Sequence, residues 1–162
     1  MIIVIMGVSG CGKTTIGKSL SKKINLPFYD ADDFHTDANI EKMKNGQALN
    51  DDDRKPWLES LSTHILKWES SSGAILACSA LKEKYRVILS SKIANINWVY
   101  LSGSFDVIKN RLEQRNQHYM KSTLLKSQFD TLEVPNYGLH ISNKKPINEI
   151  VSIITSKLNL NE

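Results

Sequence analysis

Short apolar runs alternate with longer amphipathic stretches along this chain. Ile2 to Ile5 is a β-branched apolar run, the pattern of a strand buried on both faces. A glycine-rich turn follows at once. From Thr14 the apolar positions take helical spacing, with Ile16, Leu20 and Ile24 on one stripe. Pro27-Phe28-Tyr29 predicts a second short strand that ends in Asp30. Thr36 to Asn45 predicts a short helix stopped by Gly46. Asp51 to Ser70 predicts a longer one, with acids in its first turn, Pro56 near its start, and Leu58, Leu61, Ile65 and Trp68 facing inward.

The alternation continues. Ala74 to Cys78 reads as a strand and Leu81 to Leu89 as a helix. Asn97 to Leu101 reads as a strand, and Ser104 caps a helix that runs to Asn116. His118 to Pro135 is polar, basic and partly helical. Leu139 to Ile141 is a last short strand. Pro146 opens a terminal helix striped by Ile147, Ile150, Val151, Ile154 and Leu158. This is the order of βαβ units, so the expected class is α/β: a mostly parallel five-stranded sheet flanked by helices. No linker interrupts it, and residues 1–162 are expected to form one domain. In such sheets ligands bind beyond the carboxyl ends of the strands. Polar clusters stand at those ends here, after Ile5, Tyr29 and Cys78.

Composition narrows the class. A chain of 162 residues, 41% of them hydrophobic, is long enough for a core without staples. Cys11 and Cys78 are its two cysteines, too few for a disulfide framework or a Cys-rich zinc module. No run reaches the ~18 apolar residues of a membrane span. Met1 to Met6 lacks a basic leader and a cleavage site, so a cytoplasmic protein without a membrane partner is expected. The net charge of +4 is mild and does not by itself indicate nucleic acid, which is not expected as a partner. The excess concentrates in Lys109, Arg111, Arg115, Lys121 and Lys126, against Glu113. That segment is either a solvated helix face or a positive arm that closes over a phosphate.

Gly7-Val8-Ser9-Gly10-Cys11-Gly12-Lys13-Thr14 matches GxxxxGK[ST] between a strand and a helix. The glycines let the backbone wrap a phosphate, and its N–H groups with the helix N-terminus stabilise anionic oxygens. Lys13 supplies a point charge for the β- and γ-phosphates, and Thr14 a hydroxyl for Mg2+. The pattern predicts nucleoside triphosphate binding over Gly7 to Thr15. Reading guanine needs N-K-x-D; Asn143-Lys144-Lys145-Pro146 has Pro in the last place, which argues against a GTPase. Asp30-Ala31-Asp32 stands at the end of the second strand. Carboxylates there suit two jobs, orienting a Mg2+-bound water and accepting the proton of an attacking hydroxyl.

These residues resemble the gluconokinase family. The resemblance rests on the phosphate loop, on Asp32, His35 and Asn39-Ile40-Glu41-Lys42-Met43, and on Leu49-Asn50-Asp51-Asp52-Asp53-Arg54-Lys55-Pro56-Trp57-Leu58. It continues in Cys78-Ser79-Ala80-Leu81-Lys82 with Tyr85-Arg86, and in His118 through Ser127-Gln128-Phe129 to Leu132-Glu133 and Pro135. The phosphate loop is shared by a whole superfamily; the stretches at Asn50 and Cys78 are far more specific. The resemblance implies a three-layer P-loop kinase fold with a helical lid over about 111–135, ATP and Mg2+ as cofactors, and a homodimer. It implies phosphorylation of D-gluconate on its 6-hydroxyl.

Residue by residue, the resemblance suggests Lys13, Asp32, Arg111 and Arg115 as catalytic groups. Asp32 would act as base or orienter, and the arginines would close from the lid. Thr14 and Asp30 would hold the metal. Arg54, Lys82 and Arg86 are candidate cations for the gluconate carboxylate; His35, Asn39 and Gln128 are further candidate substrate contacts. Two positions depart from the family pattern. Cys11 stands where Ser is common, and is either a reactive thiol beside a helix N-terminus or a quiet buried residue. Thr36 follows His35 where Pro is expected, which leaves the start of that helix less rigid. Adenine is expected near Asn143 to Pro146. Rival readings are another small-molecule kinase such as a shikimate kinase, a polynucleotide 5′-kinase, and a nucleotide-binding regulator without catalysis.

Overall fold

The computed structural model describes residues 1–114 and 122–160. Five parallel strands form one sheet: β1 (Ile2–Met6), β2 (Phe28–Asp30), β3 (Ala74–Ala77), β4 (Asn97–Ser102) and β5 (Leu139–Ser142). Their spatial order is β2-β3-β1-β4-β5. The apolar runs explain that order. Every residue of β1 and β3 is buried, as strands with neighbours on both edges and helices on both faces must be. β2 and β5, at the edges, are only partly buried.

The connecting helices are α1 (Lys13–Ile24), α2 (Asp37–Lys44), α3 (Asp51–Glu69), α4 (Glu83–Ser90), α5 (Phe105–Gln114), α6 (Ser122–Thr131) and α7 (Ile147–Lys157). They pack in pairs, α1 with α7, α3 with α4 and α5 with α6. The inward stripe of α3 is Trp57, Leu58, Leu61, Ile65 and Trp68, all buried. Local signals start these helices. Thr36 Oγ1 accepts from Asn39 N at 3.2 Å, so a side-chain cap does at α2 what a proline would do by rigidity. Asn50 and Asp53 exchange hydrogen bonds in a capping box on α3.

The elements expected from the sequence are all present among the described residues, with shifted ends. α4 begins at Glu83 rather than Leu81, because Ala80 takes a left-handed φ of 45° and Lys82 serves as the cap. A 3-10 turn over Ala31–Phe34, absent from the periodicity, follows β2; the Asp30 carboxylate caps it by accepting from Asp32 N at 3.0 Å. Residues 115–121 lie outside the described part, so the expected continuation of α5 to Asn116 is not described.

Gly73 sets the register at the start of the sheet. Its φ is +88°, and a Cβ there would stand 2.3 Å from the Met1 carbonyl oxygen. That carbonyl accepts from Ala74 N at 3.0 Å, the first rung between β1 and β3. Gly73→Ala is expected to cost about 2 kcal/mol in urea unfolding, from left-handed strain and displacement of this rung. An unchanged midpoint would show that the N-terminus yields freely.

Candidate active site

β1 ends at Met6, and the phosphate loop leaves the sheet between β3 and β4. Gly7 N donates to Ser79 O at 3.3 Å, which ties the loop to the end of β3. Lys13 Nζ donates to the carbonyls of Gly7 and Val8, each at 3.0 Å, so the ammonium sits inside the curve of the loop. Gln128 on α6 holds Ser9 twice: its Oε1 accepts from Ser9 N at 2.7 Å, and its Nε2 donates to Ser9 Oγ at 3.2 Å. Gln128, expected to touch the sugar acid, thus touches the phosphate loop. Asn143 Nδ2 donates to Cys11 O at 3.4 Å, and Arg111 donates to Asn143 O at 3.3 Å. Arg111 therefore braces the segment expected to face adenine. Arg115 lies outside the described residues.

The acidic turn closes the opposite wall. Thr14 Oγ1 donates to Asp30 Oδ2 at 2.7 Å, while Asp30 Oδ1 caps the 3-10 turn. The two expected metal-holding groups are thus already neighbours. Asp32 projects from the turn, its side chain 81% exposed, with His35 Nε2 3.7 Å from its Oδ1. The His35 ring stacks on Trp57 at 4.0 Å between centroids and 17° between planes. Trp57 Nε1 in turn donates to Ala31 O at 2.8 Å, so one indole supports both the turn and the imidazole. Burial and the nearby Arg54 charge push the His35 pKa down to about 4, with Asp30 pulling weakly the other way.

Arg54 stands near the start of α3, just after the Asn50–Asp53 capping box. Its guanidinium donates to Tyr85 Oη at 3.0 Å and lies 5.3 Å from that ring's centre. Asp51 gathers Tyr85, Lys82 and Lys84 around one carboxylate. The hydrogen bond from Lys84, then that from Tyr85, holds the Asp51 pKa far below the usual carboxylate range. Burial and the Asp51 hydrogen bond push the Tyr85 phenol up to about 12.

A cavity of about 440 Å3 joins these walls, lined among the described residues by Ser9, Lys13, Thr14, Asp30, Asp32, His35, Arg54 and Gln128 together with Trp57 and Leu124. Three expected substrate residues are not brought to it. Arg86 is 2% exposed and donates to Ala80 O, Glu133 O, Glu83 and Tyr137 Oη. It fastens α4 to the chain after α6, and it does not line the cavity. Asn39 is 3% exposed, with its amide on Asp53 O and His35. Lys82 pairs with Asp51 at 3.4 Å beside the cavity. The reactive reading of Cys11 also fails on geometry, since its side chain is buried at 1% exposure. Cys78, at the cavity wall, is inert for a related reason: burial pushes its thiol up to about 12.

A phosphate loop, a carboxylate turn and an arginine wall around one cavity suit phosphoryl transfer to a small anionic acceptor. The family model described as shikimate kinase matches residues 9–152. The thermoresistant gluconokinase of Escherichia coli is 42% identical over 135 residues, 83% of this chain and 77% of that one. A probable gluconokinase of Xenopus tropicalis is 43% identical, over 98% of this chain and 93% of that one. The chain belongs to the gluconokinase family. Solved structures agree. A gluconokinase from Sinorhizobium meliloti superposes with a TM-score of 0.85 at 34% identity, covering 97% of this chain and 94% of the other. A sugar kinase from Janibacter reaches 0.93 at 36% identity, covering 98% and 94%. Shikimate kinase from Aquifex aeolicus, at 20% identity and 0.57, shares the fold. Membership in the gluconokinase family makes the chain a phosphotransferase, with ATP as the phosphate donor.

Two outcomes follow from the packing of this site. A Cβ on Gly103 would stand 2.5 Å from Asn143 Nδ2, the group that holds the Cys11 carbonyl. Gly103→Ala is expected to weaken ATP binding about tenfold, roughly 1.4 kcal/mol, in a calorimetric titration. Unchanged affinity would separate Asn143 from the loop. For His35, the unfolded chain binds a proton between pH about 4 and 6.5 that the folded chain does not. Stability therefore falls as pH drops through that window. Urea midpoints should show this slope, and His35→Gln should flatten it; equal slopes would refute the cause.

Proposed function

We propose that this chain transfers the γ-phosphoryl group of ATP to the 6-hydroxyl of D-gluconate, giving 6-phosphogluconate and ADP. The observation that carries the reading is that Lys13, Asp32 and Arg54 line one cavity. Lys13 draws the charge of the transferring phosphoryl group. Asp32 accepts the proton of the acceptor hydroxyl, whose oxygen bonds to the γ-phosphorus as the bond to the ADP oxygen breaks. Arg54, anchored through Tyr85, faces the single carboxylate that distinguishes a sugar acid from a sugar. Arg111 and Arg115, in a lid over about 111–135, balance charge in the transition state.

Thr14 and Asp30 suit Mg2+. Their oxygens are hard donors 2.7 Å apart, and Mg2+ is commonly held by one or two protein oxygens with phosphates and waters. The ion supplies charge neutralisation at the phosphates. Among the described residues no cluster of three or more acids, histidines or cysteines offers a fuller protein cage. We propose that the enzyme works in the cytoplasm as a homodimer, as the family resemblance suggests.

A coupled ADP-release assay with Mg-ATP tests the reading against D-gluconate, shikimate, glycerate, a nucleoside monophosphate and a 5′-hydroxyl oligonucleotide. Turnover is expected on D-gluconate. Asp32→Asn should lower kcat roughly 100-fold or more, with ATP affinity retained. Turnover on another acceptor instead would discard the substrate, and ATP binding without any turnover would favour a regulator.

A further inference from the structure

The His35 ring is held by groups that determine which of its nitrogens carries the proton. Asn39 Nδ2 lies 2.9 Å from Asp53 O, a backbone carbonyl that can only accept. The nitrogen end of the Asn39 amide must therefore face that carbonyl. The same nitrogen lies 3.4 Å from His35 Nδ1. An amide nitrogen only donates, so Nδ1 is the ring's bare, accepting nitrogen. In a neutral ring the proton then sits on Nε2. The stack on Trp57 fixes the ring plane, and Trp57 is itself pinned to Ala31 O. A flipped ring would lose the Asn39 contact.

We infer that Asn39 is a positioning residue, which fixes His35 in its Nε2–H tautomer so that this N–H meets the alcohol oxygen that Asp32 deprotonates. The inference rests on the reading of the cavity as an acceptor-alcohol site. Nε2 and Asp32 Oδ1 are 3.7 Å apart, too far for a hydrogen bond to each other. A single oxygen at about 2.8 Å from each fits between them. Such an alcohol gives its proton to Asp32 and accepts Nε2–H with one lone pair. Its second lone pair stays free for phosphorus.

The charge state matters as much as the direction. Arg54, Asp30 and Asp32 are the charged groups that face this ring, and burial with Arg54 keeps it neutral. An imidazolium would pair with Asp32 and weaken it as a base. A neutral donor orients the alcohol and leaves the carboxylate its charge. The fixed tautomer explains why a buried asparagine serves here, where a carboxylate would attract a proton to Nδ1.

The test is long-range 1H–15N NMR of the full chain labelled at histidine, without substrate. His35→Gln assigns the signal among His35, His64, His118 and His140. The expected pattern is the Nε2–H tautomer, steady from pH 6 to 8. An Nδ1–H pattern or a rapid mixture of tautomers overturns the inference. Asn39→Asp should then draw the proton to Nδ1, and Asn39→Ala should release a mixture. Whichever variant keeps the native circular dichroism spectrum should lose at least tenfold in kcat with gluconate, the Michaelis constant for ATP staying within about twofold. A changed tautomer with unchanged kcat would overturn the positioning role. The tautomer is read without turnover, so wild-type protein that fails on gluconate would sink the substrate reading and leave the ring assignment standing.

Discussion

The exclusion of water from β1 is the constraint on which the site depends. All five of its residues are fully buried, between β3 and β4 in the sheet and between helices above and below. Burying side chains of this size contributes about 1.5–3 kcal/mol each. The strand therefore cannot slide without a large loss, and the loop that leaves its end inherits that fixity. Parallel pairing brings the ends of β2 and β3 to the same edge. One delivers Asp30 beside Thr14, the other the Ser79 carbonyl beneath Gly7. A catalytic surface assembled from segments far apart in sequence is thus located by sheet register.

The second tier of positioning is polar. Arg54 is aimed by Tyr85, which Asp51 holds, and Asp51 lies in the first turn of the helix that carries Arg54. On the other side, Trp57 supports the Asp30–Asp32 turn and the His35 ring together. α3 is therefore the ruler of the Arg54 and His35 walls, as β1 is of the phosphate loop. A helix whose stripe looks like ordinary core also sets the distance between a cation and a carboxylate.

Much of this was legible in the sequence, for identifiable reasons. Strand and helix order follows from apolar periodicity, and the phosphate loop from spacing that tolerates few alternatives. The resemblance points to Arg86 and Asn39 as substrate contacts, but the fold buries both away from the cavity lining, because a motif says nothing of where a side chain points. The left-handed Ala80 sets how the chain enters α4, and that turn carries Arg86 inward onto carbonyls. Trp57 enters the sequence reading only as part of the Leu49–Leu58 resemblance; that its indole N–H holds Ala31 and its ring the His35 imidazole emerges only from the packing. Tyr85 belongs to the family resemblance, but its hold on Arg54 exists only once α3 and α4 lie side by side. Thr36 shows the reverse, an apparent departure from the family that its hydroxyl cap makes good.

The lysine inside the phosphate loop has one more consequence. Lys13 neutralises the carbonyls of Gly7 and Val8 from within, as a cation does inside a crown ether. Phosphate oxygens arriving at the loop compete with those carbonyls for the same ammonium. Nucleotide affinity is accordingly an exchange of ligands around one nitrogen, smaller than the sum of the contacts it creates. The same two bonds let the ammonium brace the curve of the loop from within.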